Sequence, residues 1–69
     1  MILTKKEIEI INLLSNDVSV KDIGVHINKS TSTVEKILSK VRYKNQIDTN
    51  TGLVGEYLNE LYFNKILVC

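Results

Sequence analysis

Ser30 to Lys44 reads STSTVEKILSKVRYK, and its periodicity decides the fold. Val34, Ile37, Leu38 and Val41 recur at i, i+3, i+4 and i+7, the spacing of a buried stripe on an α-helix. The opposite face carries Thr31, Ser32, Glu35, Lys36, Ser39, Lys40 and Lys44. Ser30 stands where an N-cap is needed, with a hydroxyl able to accept an otherwise orphan backbone N–H. From Asn28 to Asn45 there are five basic residues and one acid, so this stretch is net +4 and the rest of the chain net −3, against a total of +1. A short basic helix that opens with small hydroxyl residues suits a nucleic-acid groove: the small residues permit close approach and the cations lie where phosphates would be. The same charges also fit an ordinary solvated helix face, and charge alone does not separate the two readings.

On the N-terminal side, Thr4 and Glu7 have the spacing of a capping box. They open a helix over about 4–15 whose stripe is Ile8, Ile11 and Leu14, widened by Ile10 and Leu13. Lys5 and Lys6 read as groove-rim contacts or as plain surface charges. Ser15-Asn16-Asp17 suits a turn. Ser19 and Asp22 repeat the capping spacing before a short helix over about 20–27, with Ile23 and Ile27 as its core pair. Gly24 weakens that helix by roughly 1 kcal/mol relative to alanine, a cost that makes sense if another helix packs very close there. A short helix, a tight connection and the helix over about 31–44 then follow one another. That is the spacing of a helix-turn-helix, whose second helix enters the major groove.

On the C-terminal side, Asn45–Asn50 reads as a loop, with Ile47 turned into the core. Asn50 or Thr51 caps a fourth helix over about 51–63, where Leu53, Val54, Tyr57, Leu58, Leu61 and Tyr62 form a wide apolar stripe. A domain of this size has little core left to cover such a stripe, so one edge is expected to face a partner. Val54, Tyr57, Leu58, Leu61 and Tyr62 are the interface candidates. Tyr57 is the favoured anchor, because a ring buries much area with few rotatable bonds. The apolar tail, Phe63 to Cys69, extends the helix, folds back as a strand or completes an interface; the sequence leaves these open.

The composition fits one small all-α domain. The chain has 69 residues, 43% of them hydrophobic, with no proline and three glycines. That is enough apolar material for a small core and too little turn chemistry for a sheet protein. No apolar run approaches the ~20 residues of a membrane span. The opening MILTKKEIEI lacks a secretory apolar region, and one cysteine forms no internal disulfide. A cytoplasmic setting without membrane attachment is therefore expected.

The joint spacing of these pieces resembles the LuxR/GerE-type helix-turn-helix domain of bacterial transcription regulators. The family's leucine-threonine opening, with its glutamates and paired leucines, is matched by Leu3-Thr4-Lys5-Lys6-Glu7-Ile8-Glu9 and Leu13-Leu14. Its lysine-acid-isoleucine is matched by Lys21-Asp22-Ile23, and the serine and threonine-valine of its recognition helix by Ser30 and Thr33-Val34-Glu35. Ile47 and Leu53-Val54 match its third-loop and fourth-helix apolar positions. The resemblance spans about Leu3 to Leu58. The chain departs from the family at Gly24 (usually alanine), Lys29 (isoleucine or valine), Ile37 (often histidine), Asn45 (leucine) and Asn50 (often arginine). The resemblance implies a four-helix fold that binds DNA as a homodimer, often through the fourth helix, in a bacterial or phage protein that regulates transcription and does not catalyse.

No catalytic constellation competes with this reading. His26 and Cys69 are the single histidine and the single cysteine, far apart in sequence. A zinc site needs about four such ligands, and no glycine-rich phosphate loop is present. No metal or cofactor is expected, and any signal is expected to arrive through a partner or through the protein's own concentration. The expected partner is double-stranded DNA, with Thr31, Ser32, Glu35 and Lys36 nearest base edges and Lys21, Lys29, Thr33, Lys40 and Lys44 nearest phosphates. Glu35 accepts from a cytosine amino group but repels the backbone, so it favours specificity over affinity. The competing class is a helix-turn-helix fold used as a protein-binding module that modulates a larger transcription protein.

Overall fold

In the computed structural model, residues 1–68 are described; Cys69, and with it the last position of the tail, lies outside the described residues. Four helices carry the chain: α1 (Lys5–Ser15), α2 (Val20–Ile27), α3 (Thr31–Lys44) and α4 (Asn50–Tyr62). Two short strands, β1 (Ile2–Leu3) and β2 (Leu67–Val68), pair in parallel with Ile2 opposite Leu67 and Leu3 opposite Val68. The tail thus leaves α4 at Phe63, turns through a left-handed Asn64 and folds back as a strand.

Every helix is opened by a hydroxyl side chain. Thr4 and Glu7 form a full capping box, the Glu7 N–H donating to Thr4 Oγ1 at 3.1 Å and the Thr4 N–H to Glu7 Oε1 at 2.9 Å. Ser19 Oγ accepts from the Asp22 N–H and Ser30 Oγ from the Thr33 N–H. α4 is capped by Thr49, one residue before the earlier of the two expected positions, with Thr49 Oγ1 accepting from the Gly52 N–H at 2.9 Å. Each such cap is worth about 1 kcal/mol. Downstream of the four helices stand left-handed residues, Asp17, Asn28, Gln46 and Asn64. Asparagine and aspartate tolerate that conformation better than most residues.

The core is Leu3 from β1, Ile10 and Ile11 from α1, Ile23 from α2, Val34, Leu38 and Val41 from α3, and Leu53 and Tyr57 from α4. Ile8, Leu13, Leu14, Ile27, Ile37 and Ile47 pack half-buried around it. α2 packs against α3 more extensively than any other pair of elements. Gly24 explains that closeness, although its near neighbour is not another helix as expected. A Cβ there would stand 2.6 Å from the carbonyl oxygen of Lys29, in the turn between α2 and α3. The Lys29 N–H donates back to the Gly24 carbonyl at 2.8 Å. The missing side chain lets the connection fold flat on α2 and so fixes where α3 begins.

Tyr57 is a correction to the surface reading of α4. Its ring is 1% exposed, and its hydroxyl donates to Asn12 Oδ1 at 2.7 Å. The helix rotates so that Leu53 and Tyr57 point inward together, being four residues apart, and a buried hydroxyl takes the partner that α1 offers.

Candidate nucleic-acid interface

α3 buries Val34, Leu38 and Val41 and holds Ile37 half-buried, which fixes its rotation. The face left outside carries Thr31, Ser32, Glu35, Lys36, Ser39 and Lys40, all exposed. The helix is held at both ends. At its start, Ser30 Oγ accepts the Thr33 N–H and lies 2.9 Å from the Thr33 hydroxyl. Thr33 is therefore half-buried in the cap, which makes it a poorer phosphate contact than its sequence position implies. At the far end, Lys44 Nζ donates to Glu7 Oε1 at 2.7 Å. Lys44 is thus tied to the capping box of α1 by an internal ion pair, whereas the sequence placed it among the unpaired cations of the outer face.

Glu7 is 8% exposed. Burial works against its charge, but the Lys44 ammonium and the Thr4 N–H outweigh burial and hold its carboxyl below the ordinary value of 4.5. One carboxylate therefore caps α1 and anchors the C-terminal end of α3. The two departures at this end also find partners. The Asn45 side chain accepts the Ile2 N–H at 3.2 Å and donates to the Val41 carbonyl at 3.0 Å, tying α3 to β1. Arg42 donates to Asn50 Oδ1, tying α3 to α4.

Four other lysines flank this face. Lys21 on α2, Lys29 in the turn, and Lys36 and Lys40 on α3 are exposed, and among the described residues none forms an ion pair. Lys6 is spent on Glu9 at 3.2 Å. Tyr43 was missed from the sequence. It is 87% exposed and lies seven residues beyond Lys36 on the same face, with a hydroxyl able to donate to a phosphate. Following the outward face of α3 two turns on from Lys36 at helical spacing finds it.

A second surface lies on α4. Val54 is half-buried, while Leu58, Leu61 and Tyr62 are exposed, Tyr62 packing edge-on against Phe63 with ring centroids 5.1 Å apart. Leu14, Asn50, Thr51 and Val54 line an open cleft where α1 meets α4. On the opposite flank, Glu60 pairs with the Met1 ammonium. That contact holds the Glu60 carboxyl low, and the hydrogen bond shared with Glu60 raises Glu56.

His26 is exposed on α2 beside a cleft shared with Glu9, Leu13 and Ile27. Among the described residues no three histidine, cysteine or acidic side chains gather as a metal site, and no helix is long and apolar enough to cross a membrane. Set against family models, curated proteins and solved structures, the chain matches none of them.

Proposed function

We propose that this chain is a sequence-specific double-stranded DNA-binding regulator of transcription, of LuxR/GerE helix-turn-helix type, acting in the cytoplasm as a homodimer. One observation carries the reading: α3 is fastened at both ends while its outward face holds small hydroxyls and unpaired lysines. A groove-reading helix needs such a fixed frame, since a base contact discriminates only if its donor cannot drift. Thr31, Ser32, Glu35 and Lys36 read base edges. Lys21, Lys29, Lys40 and Tyr43 hold the phosphates on either side, and Lys44 holds the frame.

The test is a salt titration of binding to DNA fragments from the chain's own locus. Wild type is expected to retard fragments at ~50 mM salt and to lose affinity steeply as salt rises. Lys40→Ala is expected to weaken binding to all sequences, whereas Lys36→Ala and Glu35→Ala change which fragments are preferred. Folded protein that retards nothing at ~50 mM salt overturns the proposal.

A second reading, a protein-binding module acting on a larger transcription protein, draws on the apolar surface of Leu61, Tyr62, Phe63, Leu67 and Val68, each more than half exposed. Activity in the cell that survives Lys36→Ala with Lys40→Ala but fails with Tyr62→Ala favours that reading.

A further inference from the structure

We propose that the free edge of β2 takes up an extended segment of another protein, apolar along its length and acidic at the end beside Lys65, as a third strand of the β1–β2 sheet. The inference rests on the protein-binding reading and adds the mode of recognition and the chemistry of the partner. The parallel register fixes where the backbone groups point. The Leu67 N–H donates to the Met1 carbonyl at 2.9 Å, so the backbone groups of Leu67 face β1. By alternation those of Ile66 and Val68 face away from it. Among the described residues, no N–H or carbonyl of these two meets a partner. β1 is treated differently. Its outward N–H, that of Ile2, donates to Asn45 Oδ1 at 3.2 Å. The end of α3 thus covers one edge of the sheet, and the other is bare.

Proteins blunt a bare edge by shortening, charging, kinking or covering it. β2 is short, but its two residues, Leu67 and Val68, are apolar and 63% and 54% exposed. Successive side chains point to opposite faces, so Ile66 and Val68 share one face of this edge and Leu67 takes the other. Both faces are apolar. Ile66 packs half-buried against the core, which anchors the edge to the body of the domain. Two parallel strands are a marginal sheet by themselves, and a third adds stability. The occupant's chemistry follows from these groups. Donors and acceptors at every second residue are satisfied by an extended chain and not by a helix, whose own backbone groups are already paired. Apolar side chains suit both faces. The charge next to the edge is Lys65, exposed, with its ammonium 5.8 Å from the centre of the Phe63 ring and in no ion pair among the described residues. An antiparallel strand brings its C-terminal end to Lys65, and an acid there completes the pairing.

The probe is an acetylated and amidated peptide, TVTVTE, titrated to ~1 mM against the isotope-labelled chain. Saturable binding is expected, with the Ile66 and Val68 amide protons moving downfield and exchanging more slowly with solvent. Of two versions of the peptide N-methylated on alternate residues, one is expected to bind and the other not, because only one set of N–H groups faces β2. Val68→Pro removes an outward N–H and leaves the Leu67 bond in place, so it is expected to weaken binding at least about tenfold while the melting temperature holds. Lys65→Glu is expected to reverse the preference for TVTVTE over TVTVTK. No binding at ~1 mM would overturn the proposal. So would equal binding of the two N-methylated peptides, or wild-type affinity in a folded Val68→Pro chain. If Val68→Pro lowers the melting temperature, the N-methylated pair on wild type decides. Self-association of the chain that Val68→Pro abolishes would put a second copy on this edge and overturn the partner strand. Activity in the cell that fails with Tyr62→Ala and survives Val68→Pro removes this inference and leaves the protein-binding reading standing; activity that survives both removes both.

Discussion

α3 and α4 are nearly equal in length, 14 and 13 residues, and each sinks one stripe into the same core, yet they leave opposite chemistry outside. The outward face of α3 has two unpaired lysines, an acid, small hydroxyls and one tyrosine. The outward side of α4 shows Leu58, Leu61 and Tyr62 beside Thr51, Gly55 and a single exposed acid, Glu56. A polar, charged face can stay in water until a charged partner arrives. An apolar face of this kind is unfavourable in water, by about 25 cal/mol per Å² of apolar area, until something covers it. In our reading the two faces divide the work, α3 meeting nucleic acid and α4 a second copy. The division depends on the inward anchors that set each helix's rotation: Val34, Leu38 and Val41 for α3, Leu53 and Tyr57 for α4.

The most direct way to break this comparison is to remove an anchor. Tyr57→Ala deletes a fully buried ring and its bond to Asn12, and it is expected to cost about 3–5 kcal/mol. Thermal unfolding followed by circular dichroism should then show the cooperative transition lost or shifted far downward. A folded Tyr57→Ala chain of unchanged melting temperature would mean that the ring belongs to the surface.

The glycines sharpen the contrast. Gly24→Ala presses a methyl group against the Lys29 carbonyl and is expected to cost about 1–3 kcal/mol. Gly55→Ala, in open space, is expected to raise monomer stability by up to about 1 kcal/mol. Urea midpoints measured at low protein concentration report both, and the same sign for the two would contradict the packing at one of them.

Glu7 tests how α3 is held. Its carboxyl titrates lower in the folded chain than in the unfolded one, so the linked stability is fully present above the unfolded value. It is lost as pH falls through the folded value, below the ordinary 4.5. Glu7→Gln removes the ion pair with Lys44 and is expected to cost about 1–2 kcal/mol at neutral pH, with a flatter decline of stability on acidification. Equilibrium unfolding at several pH values from 7 downward measures this; an acid limb unchanged by the substitution would place the pH dependence elsewhere.

The smallest effect on stability is expected at Lys40. Lys40→Ala touches no internal partner, so stability stays within about 0.5 kcal/mol, while the salt dependence of DNA binding falls by about one phosphate contact. Gel retardation at several salt concentrations checks this, and an unchanged slope would remove Lys40 from the interface.

The periodicity of Val34, Ile37, Leu38 and Val41, the hydroxyls at Thr4, Ser19 and Ser30, and the break read at Asn45–Asn50 are enough to read four helices and the outward face of α3. These are local signals: helical spacing and capping chemistry act within one turn of chain, so a sequence carries them in plain order. Tertiary structure alone decided which edge of the broad α4 stripe turned inward, because six apolar residues offered several rotations and the Asn12 amide on α1 made Tyr57 the one to bury. It also decided that Lys44 would serve Glu7 across 37 positions of sequence, that Asn45 would bridge α3 to β1, and that Leu67 and Val68 would return to pair with Ile2 and Leu3. Such pairings depend on which groups the fold brings within hydrogen-bonding distance, and residue type alone does not specify that when the partners lie far apart along the chain.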